Sequence, residues 1–166
     1  MKNRKKGFSL VELLIVLAVM AALIATITPV ALNAIKKSKA TQVAQNLKTL
    51  ASALENAAYV NGITSDGLIA GPGGTTSVTI AQLGRDIDQT KYSAWYTGTE
   101  NAGEFEVLVF YNGGDVDASL VNATMPSATS SNQATVLTTS TVSANKLTSA
   151  TYPTDGIFYT FKLTVY

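Results

Sequence analysis

FSLVELLIVLAVMAALIATITPVAL, residues 8–32, carries one charge, Glu12, in 25 positions. A helix of roughly 20 apolar residues crosses the hydrocarbon core of a bilayer, so this run is long enough to span one. It is apolar all round, which a buried core helix of a soluble protein rarely is for this length. Basic residues flank it on both sides: Lys2, Arg4, Lys5 and Lys6 before it, Lys36, Lys37 and Lys39 after it. A secretory signal peptide has a shorter apolar region and a small-residue cleavage site behind it, and neither is present. A plain single-pass anchor explains the length but leaves Glu12 without a purpose, and a carboxylate within such a segment points to function. Pro29 lacks an N–H and cannot bond the carbonyl of Ala25, so the helix is expected to kink or open before it. Thr26 and Thr28 stand ready to bond freed carbonyls.

Working outward, the pattern changes after Leu32. Ala40, Val43, Leu47, Leu50, Leu54 and Ala57 recur every three or four residues, one face of an amphipathic helix. Lys36, Lys39, Gln42, Asn46, Lys48 and Ser52 fall elsewhere around it. Asn61-Gly62 is a stop signal. The spacing predicts a nearly continuous helix from Phe8 to Val60, roughly 80 Å long at 1.5 Å per residue. Its second half packs on a domain of its own chain through Val43, Leu47, Leu50 and Leu54. Its first half has no such cover and requires lipid or other copies of itself.

Toward the N-terminus, Lys5-Lys6-Gly7-Phe8-Ser9-Leu10-Val11-Glu12 resembles the prepilin cleavage motif of type IV pilins and type II secretion pseudopilins. Such motifs have a short basic leader ending in Gly, an aromatic or aliphatic residue after the cut, and Glu fifth in the mature chain. The resemblance implies cleavage between Gly7 and Phe8 by a prepilin peptidase at the cytoplasmic face, with N-methylation of Phe8. It implies that Glu12 pairs with the N-terminal amine of a neighbouring subunit, so that a copy docked out of step leaves both charges unpaired. Replacing Glu12 by Gln or Ala is then expected to spare cleavage and impair assembly. It also implies that the helix opens near Pro29 in filaments, and that the C-terminus lies outside. Four basic residues against three do not orient the chain by themselves.

Residues 62–166 are rich in Gly, Thr, Ser and Asn. EFEVLVFY (residues 104–111) alternates as a strand, with Phe105, Val107, Val109 and Tyr111 on one face. IFYTFKLTVY (157–166) is a second, with Ile157, Tyr159, Phe161, Leu163 and Val165 aligned. Asn112-Gly113-Gly114-Asp115 reads as a turn from which the chain returns as a hairpin at Val116. Weaker strand candidates are Ser77–Leu83, Tyr92–Tyr96 and Thr135–Val142. The expected fold class is α+β, pilin-like: a long N-terminal helix packed on a C-terminal antiparallel sheet. The expected division is a cleaved leader (1–7), an apolar membrane and filament-core helix (8–32), the amphipathic second half (33–61) and a β-rich head (62–166). Many pilins close a C-terminal loop with two cysteines. This chain has none, and the C-terminal strand is expected to take over that role.

Composition narrows the function. Cysteine and histidine are both absent, which removes disulfides, thiolate metal sites and the commonest general base. From Gly62 onward, four basic residues face nine acidic ones, a net charge of −5, so binding of nucleic acid through the head is disfavoured. Asp115-Val116-Asp117 offers two carboxylates, too few to claim a calcium site and explained equally well by turn chemistry. Asn122-Ala123-Thr124 fits the N-glycosylation pattern, and residues 127–151, rich in Ser and Thr, read as a solvated or glycosylated surface. The expectation is a structural subunit, a major or abundant pilin, not an enzyme, with no cofactor and no metal. Its partners are further copies in a helical filament, the prepilin peptidase and the pilus assembly platform. Its location is the bacterial inner membrane as precursor, then an extracellular filament. The alternatives are a type II secretion pseudopilin and a minor adhesive or DNA-uptake pilin.

Overall fold

The computed structural model describes residues 7–64, 68–74, 77–98, 103–129, 145–146 and 156–165. The elements in chain order are α1 (Leu10–Asn61), α2 (Ile80–Leu83), β1 (Tyr92–Gly98), β2 (Glu104–Tyr111), α3 (Ala118–Thr124), β3 (Ala128–Thr129), β4 (Asn145–Lys146) and β5 (Ile157–Thr164). The chain divides into two units, Met1–Lys37 and Ser38–Tyr166, and α1 contributes to both.

In the first unit, every described residue is exposed. The helix there includes an 18-residue window of mean hydropathy 2.8, none of it buried. The helix runs through Pro29 without the opening expected before it. Thr26 donates to the carbonyls of Ala22 (3.2 Å) and Leu23 (2.9 Å), and Thr28 to that of Ile24 (2.7 Å). These hydroxyls therefore cap carbonyls one to three residues before the one at Ala25 that Pro29 leaves without its usual donor. The reason is reach: a Thr hydroxyl on a helix meets the carbonyl three or four residues back.

In the second unit, α1 buries Ala40, Val43, Ala44, Leu47, Leu50, Ala51, Leu54 and Ala58. This is the predicted stripe, widened by alanines on its flanks, with Ala58 at its centre and Ala57 at its margin. The helix ends at Asn61, where Gly62 takes a left-handed φ of 77° and its N–H bonds the carbonyl of Ala58 at 3.1 Å. The Asn61 amide donates to Ala70 O at 3.0 Å, and Ile69 N–H donates to the buried Tyr96 hydroxyl at 3.0 Å. The chain leaving the helix is thus tied to the sheet.

The sheet has five strands in the order β3-β5-β2-β1-β4. β2 pairs antiparallel with β1 (Tyr92 opposite Tyr111) and with β5 (Tyr111 opposite Ile157). The C-terminal strand lies between β2 and β3, as expected of a strand that ties down the end of the chain. One face of the sheet joins the α1 stripe: Tyr92, Ala94, Tyr96, Phe105, Val107, Val109, Tyr111, Ile157 and Leu163 are buried with it. Tyr159, Phe161 and Val165 are partly buried against the same core. The opposite face, which alternation assigns to solvent, carries a second buried cluster of Leu108, Phe110 and Phe158, with Trp95 packed against it.

Two expectations fail. Ser77–Leu83 is not a strand: Ser77 bridges Ala70, and Ile80–Leu83 form a helical turn. Gln82 accepts from Thr79 N–H at 2.9 Å there, a local capping pattern that outweighs the β-branched residues. No hairpin returns at Val116, because Asp117 accepts from Ser119 N–H (2.9 Å) and starts α3. Tyr92–Tyr96 is a strand and extends to Gly98. Thr135–Val142 lies outside the described residues, as does most of the segment 127–151.

Candidate processing and assembly site

The head of α1 is organised by two side chains three positions apart in sequence, Ser9 and Glu12. Ser9 precedes the helix, and its carbonyl accepts the first intrahelical bond, from Leu13 N–H at 3.2 Å. Its hydroxyl accepts from Val11 N–H at 3.4 Å. In return Glu12 Oε2 accepts from Ser9 N–H at 2.9 Å. This is a reciprocal capping arrangement, with Ser9 at the cap and Glu12 three residues on. The carboxylate also sits in the first turn, where the helix dipole favours negative charge. Gly7 and Phe8 lie before the helix and are exposed, Phe8 at 86%. Nothing stands within 4 Å of where a Gly7 side chain would begin. The peptide bond joining them is therefore accessible and non-helical.

Pro29 lies in the exposed apolar half, while Val43, Leu47, Leu50 and Leu54 lie in the core at 4% exposure or less. The two sets of predicted residues thus belong to different units and do different work. The sequence reading places Ser9 in the motif but misses its capping role, although Ser9-Leu10-Val11-Glu12 has the Ser-x-x-Glu spacing of a helix start. Glu12 drew attention by its charge, which hid its second role as a cap partner.

The head holds one polar cluster of note. Asp115, in the turn after β2, accepts from the Tyr111 hydroxyl and meets Lys39 Nζ at 3.4 Å and Lys91 Nζ at 3.9 Å. Nearby, Asn46 donates to the Tyr92 hydroxyl at 3.1 Å. These groups line an open recess of about 180 Å³. Burial lifts the Tyr111 hydroxyl above the ordinary phenol range, and donation to Asp115 adds to the shift. The bond from Tyr111, with help from Lys91 and Lys39, holds Asp115 below the usual carboxylate range. With Asp115 bound to lysines and Asp117 capping α3, the pair considered for calcium is divided between separate tasks. Among the described residues no group of three or more acidic side chains is placed to hold a metal. Asn122 stands on α3 with its amide donating to Ala128 O at 2.9 Å, and Thr124 bonds back to Leu120 O at 3.2 Å. Both polar side chains of the glycosylation pattern are engaged within the fold.

Residues 2–28 match the family model for the prokaryotic N-terminal methylation motif. No curated protein and no solved structure matches the chain.

Proposed function

Starting from a methylation motif of the kind found in type IV pilins and pseudopilins, joined to a pilin-like helix-on-sheet fold, we propose that the chain is a major or abundant structural subunit of an extracellular type IV pilus. The observation that carries this reading is the contrast within α1. The motif heads a helix whose first part is apolar and wholly exposed, and whose later part is the core of a folded head. The exposed part resides in the inner membrane of the precursor and is buried among copies of itself after assembly. Hydrophobic burial of roughly 25 cal/mol per Å2 drives that association once the segment leaves lipid.

In this reading the peptidase cuts between Gly7 and Phe8, and Phe8 is N-methylated. The new α-amino group pairs with Glu12 of a neighbouring copy, which sets the axial register. Pro29 marks the place where the helix opens when the filament forms or stretches, since the backbone there lacks one hydrogen bond. The head supplies the outer surface.

Mass spectrometry of filaments sheared from producing cells tests the reading. The expected dominant species begins at an N-methylated Phe8. A processed chain confined to the membrane fraction would transfer the protein to the pseudopilin or minor-pilin class. An intact chain that never enters filaments would refute the assignment.

A further inference from the structure

Asn followed by Gly occurs twice in the chain, at Asn61-Gly62 and at Asn112-Gly113. The pair is chemically labile, because the backbone nitrogen of the second residue can attack the side-chain carbonyl carbon of the Asn. Gly has no side chain to block that approach and tolerates the backbone angles it needs. Attack requires both groups to be free of other engagements, and here the two pairs differ.

Asn61 is the last residue of α1. Its side-chain amide donates to Ala70 O at 3.0 Å, and Gly62 N–H donates to Ala58 O at 3.1 Å. Both reacting groups are held, and the helix fixes the backbone between them. Asn112 lies exposed in the turn after β2. Its main chain is tied on the strand side, where its N–H donates to Lys91 O at 2.8 Å. Among the described residues, neither its side chain nor the N–H of Gly113 makes a hydrogen bond.

We propose that Asn112 is a site of spontaneous deamidation in the folded protein, whereas Asn61 is protected. The Gly113 nitrogen gives up its proton and bonds to the side-chain carbonyl carbon of Asn112. The bond from that carbon to the amide nitrogen breaks, ammonia leaves, and a cyclic imide remains. Water then opens the ring at either carbonyl. One opening gives an ordinary aspartate. The other gives a β-linked isoaspartate, whose main chain runs through the former side chain and is one carbon longer. In sum, one water is consumed and one ammonia released, with no change of oxidation state.

The β-linked product bears on the polar cluster of the head. A side chain at Gly113 would overlap the Tyr111 ring, so the turn has little slack. Tyr111 donates to Asp115, which also meets Lys39 on α1 and Lys91 before β1. An extra backbone carbon between Asn112 and Gly113 draws Asp115 away from these partners and releases one tie between α1 and the sheet.

The test incubates folded full-length protein in detergent micelles, at neutral pH in heavy-oxygen water. Digestion under mildly acidic conditions and mass spectrometry then place the label. The water that opens the ring leaves its oxygen in the product, so conversion during incubation is read directly. Label is expected at Asn112 in both linkages. At Asn61 it is expected on the order of thirtyfold more slowly, the ratio set by the two hydrogen bonds that must open there. The urea midpoint, followed by Trp95, is expected to fall with the β-linked fraction in the parent. It is expected to stay constant in Asn112→Ser, which cannot form the imide. Absence of label at Asn112 in folded protein, under conditions that label it in urea, would overturn the proposal, because the fold would then protect the turn. Equal rates at the two pairs would overturn the protection assigned to Asn61. A β-linked product with an unchanged midpoint would overturn the link to Asp115.

Discussion

Leu50→Ala and Leu17→Ala make the same chemical change in one helix, and the structure requires opposite outcomes. Leu50 has no exposed surface and packs in the core formed by α1 and the sheet, whereas Leu17 is 58% exposed. Truncating a fully buried Leu removes its transfer free energy and leaves a cavity, for a total of about 2–5 kcal/mol. The β-sheet side of this core is built of large side chains such as Tyr96, Val107 and Val109, all at 0% exposure, which cannot easily collapse into the gap. The expected loss is therefore about 3 kcal/mol or more. At Leu17 the gain in helix propensity from Leu to Ala is small and no packing is lost, so the effect on the head is within about 0.5 kcal/mol. The assay is urea unfolding of full-length protein in detergent micelles, followed by Trp95, the single tryptophan, which packs on the second cluster of the sheet. The midpoint falls for Leu50→Ala with an unchanged slope and stays put for Leu17→Ala. A loss below about 1 kcal/mol at Leu50, or equal losses at both positions, would refute the division of α1 into an uncovered half and a core half.

Gly103 has φ +64°, and a Cβ there would lie 2.2 Å from the backbone oxygen of Val165. Gly103→Ala should lower the thermal midpoint of the head far more than Gly74→Ala, where φ is +75° but the space is open and the cost is about 1 kcal/mol; calorimetry compares the two. The Asp115 cluster makes head stability depend on pH at both ends. Asp115 is held below its ordinary range, so its contribution is present above the unfolded carboxylate value and is lost as pH falls through the depressed folded one. Tyr111 is raised, so its contribution is full below the ordinary phenol value of about 10 and declines as pH rises above it. Asp115→Asn should flatten the acid limb of urea midpoint against pH, and Tyr111→Phe both limbs. Glu12→Gln is expected to yield processed chains without filaments, and electron microscopy of the shear fraction that showed normal piliation would remove its docking role. Pro29→Ala is expected to leave the head unchanged and to give filaments that extend less under force, measured by optical trapping.

The long helix was legible in the sequence almost to the residue, because its signals are local. An all-apolar run, a change to a 3–4 residue repeat at Ala40, and Asn61-Gly62 as a stop each depend on neighbours a turn or two away. The inward faces of β2 and β5 were legible for the same reason, alternation being a property of the strand itself. The short elements were not. Ser77–Leu83 and the chain after Val116 were read from β-branched residues and turn chemistry, and single side-chain caps from Gln82 and Asp117 decided them instead. The cap at Ser9 was open to reading and was hidden by attention to the charge of Glu12.

By itself, then, the sequence determined that a helix with an uncovered apolar half precedes a β-rich head, and that a processing motif stands at its start. Length, charge and period are one-dimensional quantities, and the demand for burial that they create follows without knowing the fold. The tertiary structure alone decided that β5 inserts between β2 and β3, that both faces of β2 are buried, and that Lys39, Lys91, Tyr111 and Asp115 converge. Those outcomes depend on pairings between residues tens of positions apart, where chain closure and packing choose among strand orders that local pattern leaves equal.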